Sequence, residues 1–416
     1  MKPLKICMVT TFYPPYNFGG DGIYVYRLTN ALARRNHEVH VIHDLDAFAA
    51  LTDHLPKPAS PSHPNVILYP LSSRGAGPLD LLLTHQLGRP IIKRAQIKTI
   101  LERTGFDVIH FHNISLMGGP HVLEYGQAIK LCTLHDYWFV CAMHVLWRFD
   151  RERCSRRTCL ACTVAGRRPP QFWRYTGDLA RAVRQVDAFI GPSQFTCNIH
   201  ASNGFPAPIR HIQHFLPEDE VKDSIDSRKE YRHPRPYFLF VGRLEKIKGV
   251  QVLLEVFRNY RAADLVIAGA GAYEPQLREM AQDLPHVHFV GLLDHGQLRG
   301  LYQQATATLV SSICYESFGW VTLESFAAHT PVIVNDVGAL PEVVRAGGGG
   351  LIYRTTEELR TALETIRTRP DLRHTLGEQG YQSYLDRYTE EKHLKMYYSL
   401  IEELMTARLE GTASRP

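Results

Sequence analysis

The chain has 416 residues, of which 44% are hydrophobic and 21% are charged, and its formal net charge is +5. This length and composition exclude a disordered or fibrous protein and are typical of a globular protein with two domains. No run of about 18 apolar residues occurs, so we expect no membrane-spanning helix. The small positive charge favours acidic ligands or an anionic surface over nucleic acid as partners.

The first half of the chain alternates apolar strands with helical patterns. The apolar run at 5–12 ends in prolines and is too short for a signal peptide, so we interpret it as a first strand and predict a cytoplasmic protein. A helix is predicted from about Ile23 to Arg35, with Asn36 as a left-handed cap. Further strands are predicted at 38–43, 107–113, 130–136 and 187–193.

The second half begins the same pattern again after a polar, proline-bearing stretch at 216–236, which we interpret as a linker. Strands are predicted at 237–244, 263–271, 287–293, 307–312, 331–338 and 347–353. A last long helix, at about 391–408, has apolar residues on one face.

Apolar strands without strict alternation, separated by helices, indicate parallel sheets that are buried on both faces. We therefore predict an α/β fold with two Rossmann-like, doubly wound domains that face each other across a ligand cleft at the carboxyl ends of the strands. The predicted limits are 1–215 and 216–385, and the C-terminal helix at 386–416 is expected to pack back toward the first domain.

The stretch at 314–338, CYESFGWVTLESFAAHTPVIVNDVG, carries the clearest functional signal. A strand leads through a Ser-Phe-Gly turn into a helix, and the N-terminus of a helix is suited to binding an anion. Glu316 and Glu324 flank this turn and cannot hold a phosphate themselves, but they can accept hydrogen bonds from sugar hydroxyls. Together these features predict a nucleotide-sugar site.

Five motifs in register resemble those of GT-B glycosyltransferases of family 4, also called glycosyl transferases group 1, over nearly the whole chain. They are Gly19-Gly20, D-x-I-H-x-H at 107–112, VGRLEKIKG at 241–249, ESFGWVTLE at 316–324 and GALPE at 338–342. His329 departs from the family pattern, which usually has glycine there, and we expect an altered loop shape from it.

The resemblance implies roles for residues on the donor side. Arg243 and Lys248 are a basic pair five positions apart, which by itself could be a surface feature; in the family the matching residues contact the donor diphosphate. Glu316 then binds hydroxyls of the transferred sugar and Glu324 binds the ribose, while His135 lies beside the transferred sugar.

Other candidates approach the ligand mainly through their backbone. Glycine permits close approach, so Ser317, Phe318 and Gly319, as well as Gly19 and Gly20, are expected to face donor or acceptor. The base is expected to contact the backbone near Gly269 and Gly271, and near Val290 and Leu292. His112 is the candidate for acceptor contact.

The resemblance also implies retention at the anomeric carbon and transfer without a metal ion, with a helix dipole and basic side chains supplying the charge. Asp44-Leu45-Asp46 matches the triplet that metal-dependent transferases of another fold use, but such short patterns arise by chance. No carboxylate is identifiable as a covalent nucleophile.

Four of the eight cysteines cluster in one segment, at Cys141, Cys154, Cys159 and Cys162. Thiolates at this spacing suit a structural zinc ion or an iron–sulfur cluster, and unrelated cysteines are the alternative interpretation. A cysteine-rich insertion at 141–175 is typical of a subset of the family.

The same segment carries eight arginines against Asp150 and Glu152. Arginines interleaved with Trp147, Phe172 and Trp173 predict binding of a lipid-linked pyrophosphate acceptor or of an anionic membrane surface. A solvated basic loop is the alternative, and no motif supports RNA binding.

We therefore predict a retaining glycosyltransferase of polysaccharide biosynthesis that moves a sugar from a UDP- or GDP-sugar to a glycan, lipid-linked or small-molecule acceptor. The predicted location is cytoplasmic, including the inner face of the cell membrane. A sugar-nucleotide epimerase of the same fold and a non-catalytic glycan-binding protein are the alternatives.

Overall fold

The computed structural model describes residues 2–17, 19–52, 61–222 and 233–411. The described residues up to Ile212, together with those from Leu394 onward, form a first compact unit, and Gln213–His393 form a second. The predicted domain limits, after residues 215 and 385, fall near this division and remain predictions. Of the predicted linker, 223–232 lies outside the described residues.

The first unit is built on a seven-stranded sheet in which every strand pair is parallel, in the order β3-β2-β1-β4-β5-β8-β9. Its strands are β1 (Lys5–Val9), β2 (Glu38–Asp44), β3 (Val66–Leu71), β4 (Val108–Phe111), β5 (Ile129–Thr133), β8 (Ala188–Gly191) and β9 (Ile209–His211). Two further strands of two residues each, β6 (Trp147–Arg148) and β7 (Glu152–Arg153), pair with each other in antiparallel orientation.

In the described residues of the first unit, seven α-helices precede its boundary at Ile212. They are α1 (Gly20–Ala33), α2 (Leu45–Leu51), α3 (Gly77–Leu87), α4 (Arg94–Arg103), α5 (Cys159–Ala165), α6 (Asp178–Val183) and α7 (Gln194–Ser202). Two short 3-10 helices lie at Pro120–Glu124 and Phe172–Tyr175.

The second unit has a six-stranded sheet, also parallel throughout, in the order β12-β11-β10-β13-β14-β15. Its strands are β10 (Tyr237–Val241), β11 (Asp264–Ala268), β12 (Val287–Gly291), β13 (Ala307–Val310), β14 (Val332–Asn335) and β15 (Gly350–Tyr353).

Helices separate these strands and continue beyond them. They are α8 (Glu218–Lys222), α9 (Val250–Asn259), α10 (Glu274–Met280), α11 (His295–Gln304), α12 (Trp320–Ala327), α13 (Leu340–Gly347), α14 (Thr356–Thr368), α15 (Pro370–Arg387) and α16 (Glu390–Leu409). A 3-10 helix at Lys246–Lys248 lies directly before α9.

Both sheets reverse strand order beside their first strand, as a doubly wound sheet does, and this confirms the predicted pair of Rossmann-like domains. Strands such as β4 and β11 are buried along their whole length, which explains why they lack polar alternation. In such sheets the loops at the carboxyl ends of the strands form the ligand-binding edge.

The predicted elements are present, with three informative differences. The first difference is that helix α1 begins at Gly20, directly after Gly19, rather than at Ile23. Asn36, by contrast, takes the left-handed conformation that was predicted for it, with φ of 64°. Strand β3 and helix α3 were not predicted. β3 contains Pro70 and lies at the sheet edge, where a residue without an N–H group is tolerated.

The last helix, α16, begins within the second unit and belongs to the first unit from Leu394 onward. Tyr397 and Ile401 are fully buried there, and the Tyr397 hydroxyl lies 3.1 Å from Nδ1 of His110 in β4. Among the described residues, no helix combines the length and the apolar character needed to cross a membrane.

Candidate active site

The predicted donor residues gather at one edge of the second sheet. Because β10, β11, β12 and β13 are parallel, the loops that follow them share the carboxyl edge. Residues placed there are Arg243 and Lys248 after β10, Gly269 and Gly271 after β11, Leu292 after β12, and Glu316, Ser317, Phe318 and Gly319 after β13. Val290 lies within the end of β12.

Lys248 and Glu316 form an ion pair at this edge, with Nζ and Oε1 2.6 Å apart. Both side chains are mostly buried, and the hydroxyl of Ser312 also donates to Glu316. Burial opposes the charge of each partner. Even so, Glu316 holds the pKa of Lys248 above its ordinary value, and Lys248 holds the pKa of Glu316 below its own. The pair is therefore ionised.

The backbone around this pair is held by close contacts between loops. Gly249 has φ of 75°, and a Cβ atom there would lie 2.0 Å from the carbonyl oxygen of Ser311. Gly338 has φ of 68°, and a Cβ atom would lie 2.5 Å from the backbone nitrogen of Glu316. Only glycine fits either position, so these two loops bring Lys248 and Glu316 together.

Arg243 and Glu324 occupy different surroundings from the pair. Arg243 is half exposed and contacts Glu245 at 2.8 Å, and its charge also reaches Glu316 and Lys248. Glu324, in α12, accepts a 2.7 Å hydrogen bond from the hydroxyl of buried Tyr302. Burial and the nearby Glu324 carboxylate raise the pKa of Tyr302, so the phenol remains the donor.

At the corresponding edge of the first sheet, the two predicted histidines meet. Nδ1 of His112, after β4, lies 3.0 Å from Nε2 of His135, after β5. Burial lowers the pKa of His135, and the carboxylates of Asp21 and Asp136 oppose that effect only in part, so we expect a neutral imidazole. Tyr24 of α1 packs its ring edge-on against His135, with 5.2 Å between the centroids.

Gly19 and Gly20 lie at the start of α1, next to Asp21, which sequence reasoning did not single out. The Asp21 carboxylate accepts hydrogen bonds from the backbone N–H of Gly22 at 2.9 Å and from the side chain of Asn113 at 3.0 Å. Its position directly after two glycines could have identified Asp21 from the sequence. Ser312 and Tyr302 were also missed. The position of Ser312 at the end of a predicted strand was a weak indication, and nothing in the sequence indicated Tyr302.

The Asp-Leu-Asp triplet lies in a cluster with a lysine at its centre. Nζ of Lys93 lies 2.7 Å from Asp44, 2.8 Å from Asp46 and 3.2 Å from Asp80. Lys93 is 2% exposed, and an ammonium group thus neutralises carboxylates that could otherwise attract a metal ion.

The four clustered cysteines lie around one small cavity of about 20 Å³, together with Trp147 and Arg148. All four are free thiols, and the backbone N–H of Phe149 lies 3.5 Å from Sγ of Cys162. Burial raises the pKa of Cys141, while the backbone N–H groups of Leu146 and Met143 act to lower it. The cavity has room for one ion.

In the described part of the chain, the group of possible metal ligands whose atoms lie within 4.8 Å of one another is His233, Asp264 and His288. The four cysteine sulfurs do not meet that spacing. Oδ2 of Asp264 lies 2.7 Å from Nε2 of His233, and Arg235 contacts its other oxygen at 2.8 Å. Asp264 starts β11, at the sheet edge opposite the donor loops, and Arg235 already balances its charge.

His329 takes φ of 56°, a conformation that glycine adopts readily. Its ring stacks on Tyr381, with 3.8 Å between the centroids, and Nδ1 lies 2.7 Å from Glu378. These contacts stabilise a histidine where the family pattern has glycine.

Two family profiles match consecutive parts of the chain. The profile described as Glycosyltransferase Family 4 matches residues 18–220, and the profile described as Glycosyl transferases group 1 matches residues 221–383.

Among curated proteins, a glycogen synthase of Mycobacterium tuberculosis is 29% identical over 379 residues, which cover 84% of this chain and 82% of that protein. The alpha-maltose-1-phosphate synthase of Mycolicibacterium smegmatis is 25% identical over 407 residues, covering 93% of this chain and 96% of that protein.

Solved structures resemble the whole chain. Sucrose-phosphate synthase of Thermosynechococcus elongatus superposes with a TM-score of 0.73 at 21% identity, covering 97% of this chain and all of the other. Anabaena HepE in complex with UDP superposes with a TM-score of 0.67 at 15% identity, covering 96% of this chain and all of the other.

Proposed function

Because the chain belongs to the family-4 glycosyltransferases, which have the GT-B fold, we propose that it moves a sugar from a nucleotide-diphosphate-sugar donor to a glycan or lipid-linked acceptor. The observation that carries this proposal is the ionised Lys248–Glu316 pair at the carboxyl edge of the second sheet. Anabaena HepE, which resembles the chain in fold, binds UDP and UDP-glucose and so supports a nucleotide-sugar donor.

The pair suits a reaction in which a diphosphate leaves. The Lys248 ammonium has three N–H donors, so one can stay on Glu316 while another meets a phosphate oxygen. Arg243 adds a second positive charge, and the two cations stabilise the negative charge that develops on the leaving diphosphate. We propose that this replaces a metal ion in the transfer step.

The remaining residues bind and orient the ligands. In the proposal, Glu316 accepts hydrogen bonds from hydroxyls of the transferred sugar, and Glu324, held by Tyr302, accepts them from the ribose. The turn at 317–319 contacts the phosphates through its backbone, and the loops at 269–271 and 290–292 contact the base.

In the first unit, His135 is proposed to lie beside the transferred sugar and His112 to contact the acceptor. The loop carrying Gly19 and Gly20 is proposed to approach either substrate. The roles proposed for the two histidines are supported by the 3.0 Å contact between their imidazoles at the carboxyl edge of the first sheet. A neutral His135 can accept or donate a hydrogen bond without adding charge next to a sugar. A cleft between the two units remains a prediction.

The test is turnover of UDP-glucose and GDP-mannose, followed by analysis of the product. Glu316→Ala and Lys248→Ala are expected to reduce kcat/KM by about a hundredfold or more, because each removes a charge that acts in the transition state. Lys246→Ala is the matched control, since Lys246 is an exposed lysine two positions away.

Three outcomes would contradict the proposal. They are an epimerised nucleotide sugar as product, turnover that survives both substitutions, and folded protein that binds neither donor. The anomeric configuration of the product, read from its one-bond C1–H1 coupling constant, tests the proposed retention.

We further propose that the cysteines of the 141–175 insertion hold one structural zinc ion rather than an iron–sulfur cluster. Four thiols around a cavity of about 20 Å³ fit a single ion, and a cluster needs more space. When bound, zinc would be held by the thiolates of Cys141, Cys154, Cys159 and Cys162 and would stabilise the fold of this segment.

Elemental analysis of the purified chain tests this proposal, with one zinc per chain expected. Cys159→Ser with Cys162→Ser should lose the ion, whereas Cys197→Ser, at a buried cysteine outside the cluster, should keep it. Iron with visible absorbance would overturn the choice of zinc, and metal-free, stable wild-type protein would overturn the site. Zinc that is lost only on His288→Ala would point to the second group instead.

A further inference from the structure

Helix α3 exposes three of its five leucines and buries two polar residues, while Leu81 alone among its leucines is buried. Leu79, Leu82 and Leu87 are 56%, 47% and 41% exposed, whereas Asp80 and Thr84 are buried. This differs from the usual pattern of a surface helix, in which the apolar residues pack on the core and the polar residues face solvent.

The buried polar contacts hold the helix in this orientation. The Asp80 carboxylate accepts hydrogen bonds from the Ser73 hydroxyl at 3.0 Å and from the backbone N–H of Ile92 at 3.1 Å, and it lies 3.2 Å from Nζ of Lys93. Rotating α3 to bury its leucines would break these charged contacts, which are costly to lose inside a protein.

The exposed apolar surface continues beyond α3. Ile91 and Ile92 follow the helix and are also exposed. The 3-10 helix at Phe172–Tyr175 packs against α3, where Nε1 of buried Trp173 donates a hydrogen bond to the carbonyl of His85 at 3.0 Å. The first and last residues of this 3-10 helix are exposed. We call this set the apolar face; its members are Leu79, Leu82, Leu87, Ile91, Ile92, Phe172 and Tyr175.

The charges next to the apolar face are positive. Between residues 75 and 101 the only acidic residue is Asp80, which is buried. Arg89 and Arg94 flank the isoleucines and are exposed. Arg167 and Arg168, which precede the 3-10 helix, are exposed as well. A surface of leucines and isoleucines with arginines at its margin, and with no exposed carboxylate between residues 75 and 101, matches the boundary between acyl chains and anionic headgroups.

We propose that the apolar face rests on the surface of an anionic lipid bilayer, with its leucines and isoleucines at the acyl boundary and its arginines among the headgroups. This deepens the proposed function, on which it rests, because a lipid-linked acceptor would then be met at the membrane surface. In this proposal the protein binds the membrane surface without crossing the bilayer. The arginines of the 141–175 insertion contribute further positive charge toward the anionic headgroups.

Flotation of the full chain with vesicles tests the proposal. The probes are phosphatidylcholine vesicles and vesicles of phosphatidylcholine and phosphatidylglycerol in equal parts, each at low salt and at physiological salt. We expect binding to the anionic vesicles, weaker but still present at physiological salt, because apolar contact is not screened.

The decisive variants change two leucines together. Leu79→Ser with Leu82→Ser should weaken binding to anionic vesicles by about tenfold or more, whereas Leu79→Met with Leu82→Met should bind as wild type does. Met280→Ser, at an exposed apolar residue of the second unit, controls for general surface effects. Circular dichroism confirms that each variant is folded.

Wild-type protein that does not float with anionic vesicles at either salt would overturn the proposal, as would equal binding by the serine and methionine variants. If the wild type is a dimer in solution and Leu79→Ser with Leu82→Ser is a monomer, the apolar face binds a second copy of the chain instead, and the proposal is overturned. Donor turnover measured without vesicles should be the same in all variants. Its absence in wild type would count against the proposed function and leave the flotation result standing.

Discussion

Single residues at the candidate site were identifiable from sequence, but their partners were not. The motif around Glu316 predicted a carboxylate near a phosphate, and the structure pairs that carboxylate with Lys248, 68 residues earlier. Tyr302, which holds Glu324, stands in an ordinary helical stretch that carries no motif. A side-chain contact depends on the path of the backbone between two positions, so a pattern in one segment cannot specify it.

His43 should make the first unit sensitive to acid. Its ring is buried between Tyr13 and Tyr16, its Nδ1 atom has no hydrogen-bond partner, and burial lowers its pKa to about 4. Since the unfolded chain binds this proton near pH 6.5, the stability is fully present above that pH and falls as the pH drops toward 4, by roughly 3 kcal/mol in total.

Urea unfolding at several pH values across this range measures the effect. His43→Phe keeps the aromatic packing and removes the titrating group, so the free energy of unfolding should fall less steeply with acid than in wild type. His374→Phe, on the exposed surface of α15, is the control. Equal slopes for His43→Phe and wild type would show that another group is responsible.

At the scale of elements, strands and helices with clear periodicity were predicted and found, and the failures have physical causes. Strand β3 includes a proline and lies at a sheet edge, so its composition is atypical of a strand. Helix α3 was missed because Asp80 and Thr84 face inward, where Lys93 neutralises Asp80. Gly249 was predicted only to cap a turn, and in the structure it also allows a close approach to the loop that contains Ser311.

Gly249→Ala should unfold the second unit more easily, by about 3 kcal/mol, because Ala disfavours φ of 75° and its Cβ would meet the Ser311 carbonyl at 2.0 Å. Gly300→Ala is the matched control, since Gly300 lies inside α11 and an added Cβ meets nothing within 4 Å. That change should stabilise the helix by about 0.5–1 kcal/mol. Thermal unfolding of both variants measures the difference, and a shift in the same direction for both would contradict the prediction.

For the whole molecule, the important feature is that the first unit is discontinuous in sequence. The residues of α16 from Leu394 onward complete a unit whose other elements end near Ile212. Tyr397 carries much of this contact, because its buried ring stacks on His110, with 5.5 Å between the centroids, and its hydroxyl lies 3.1 Å from that imidazole. The C-terminal helix is therefore part of the first unit's core.

Tyr397→Ala should destabilise the first unit by about 3–5 kcal/mol, the usual result of emptying a buried aromatic site. Lys395→Ala, at an exposed position of the same helix, should change little. Urea unfolding followed by fluorescence is expected to show a separate, earlier transition for Tyr397→Ala, with the transition of the second unit unchanged. A single unshifted transition would mean that α16 contributes little.

The two parallel sheets and most of their strands could be predicted from the chain alone, because they follow from local periodicity, whereas β3, β9 and α3 were not predicted. The donor-side residues were predicted from motifs of fixed spacing, and their roles stay a prediction. The contact of Lys248 with Glu316, the ammonium group among Asp44, Asp46 and Asp80, and the outward leucines of α3 could not be predicted. Each of these depends on which distant segments the sheets bring side by side, and buried charges are satisfied only once that arrangement exists.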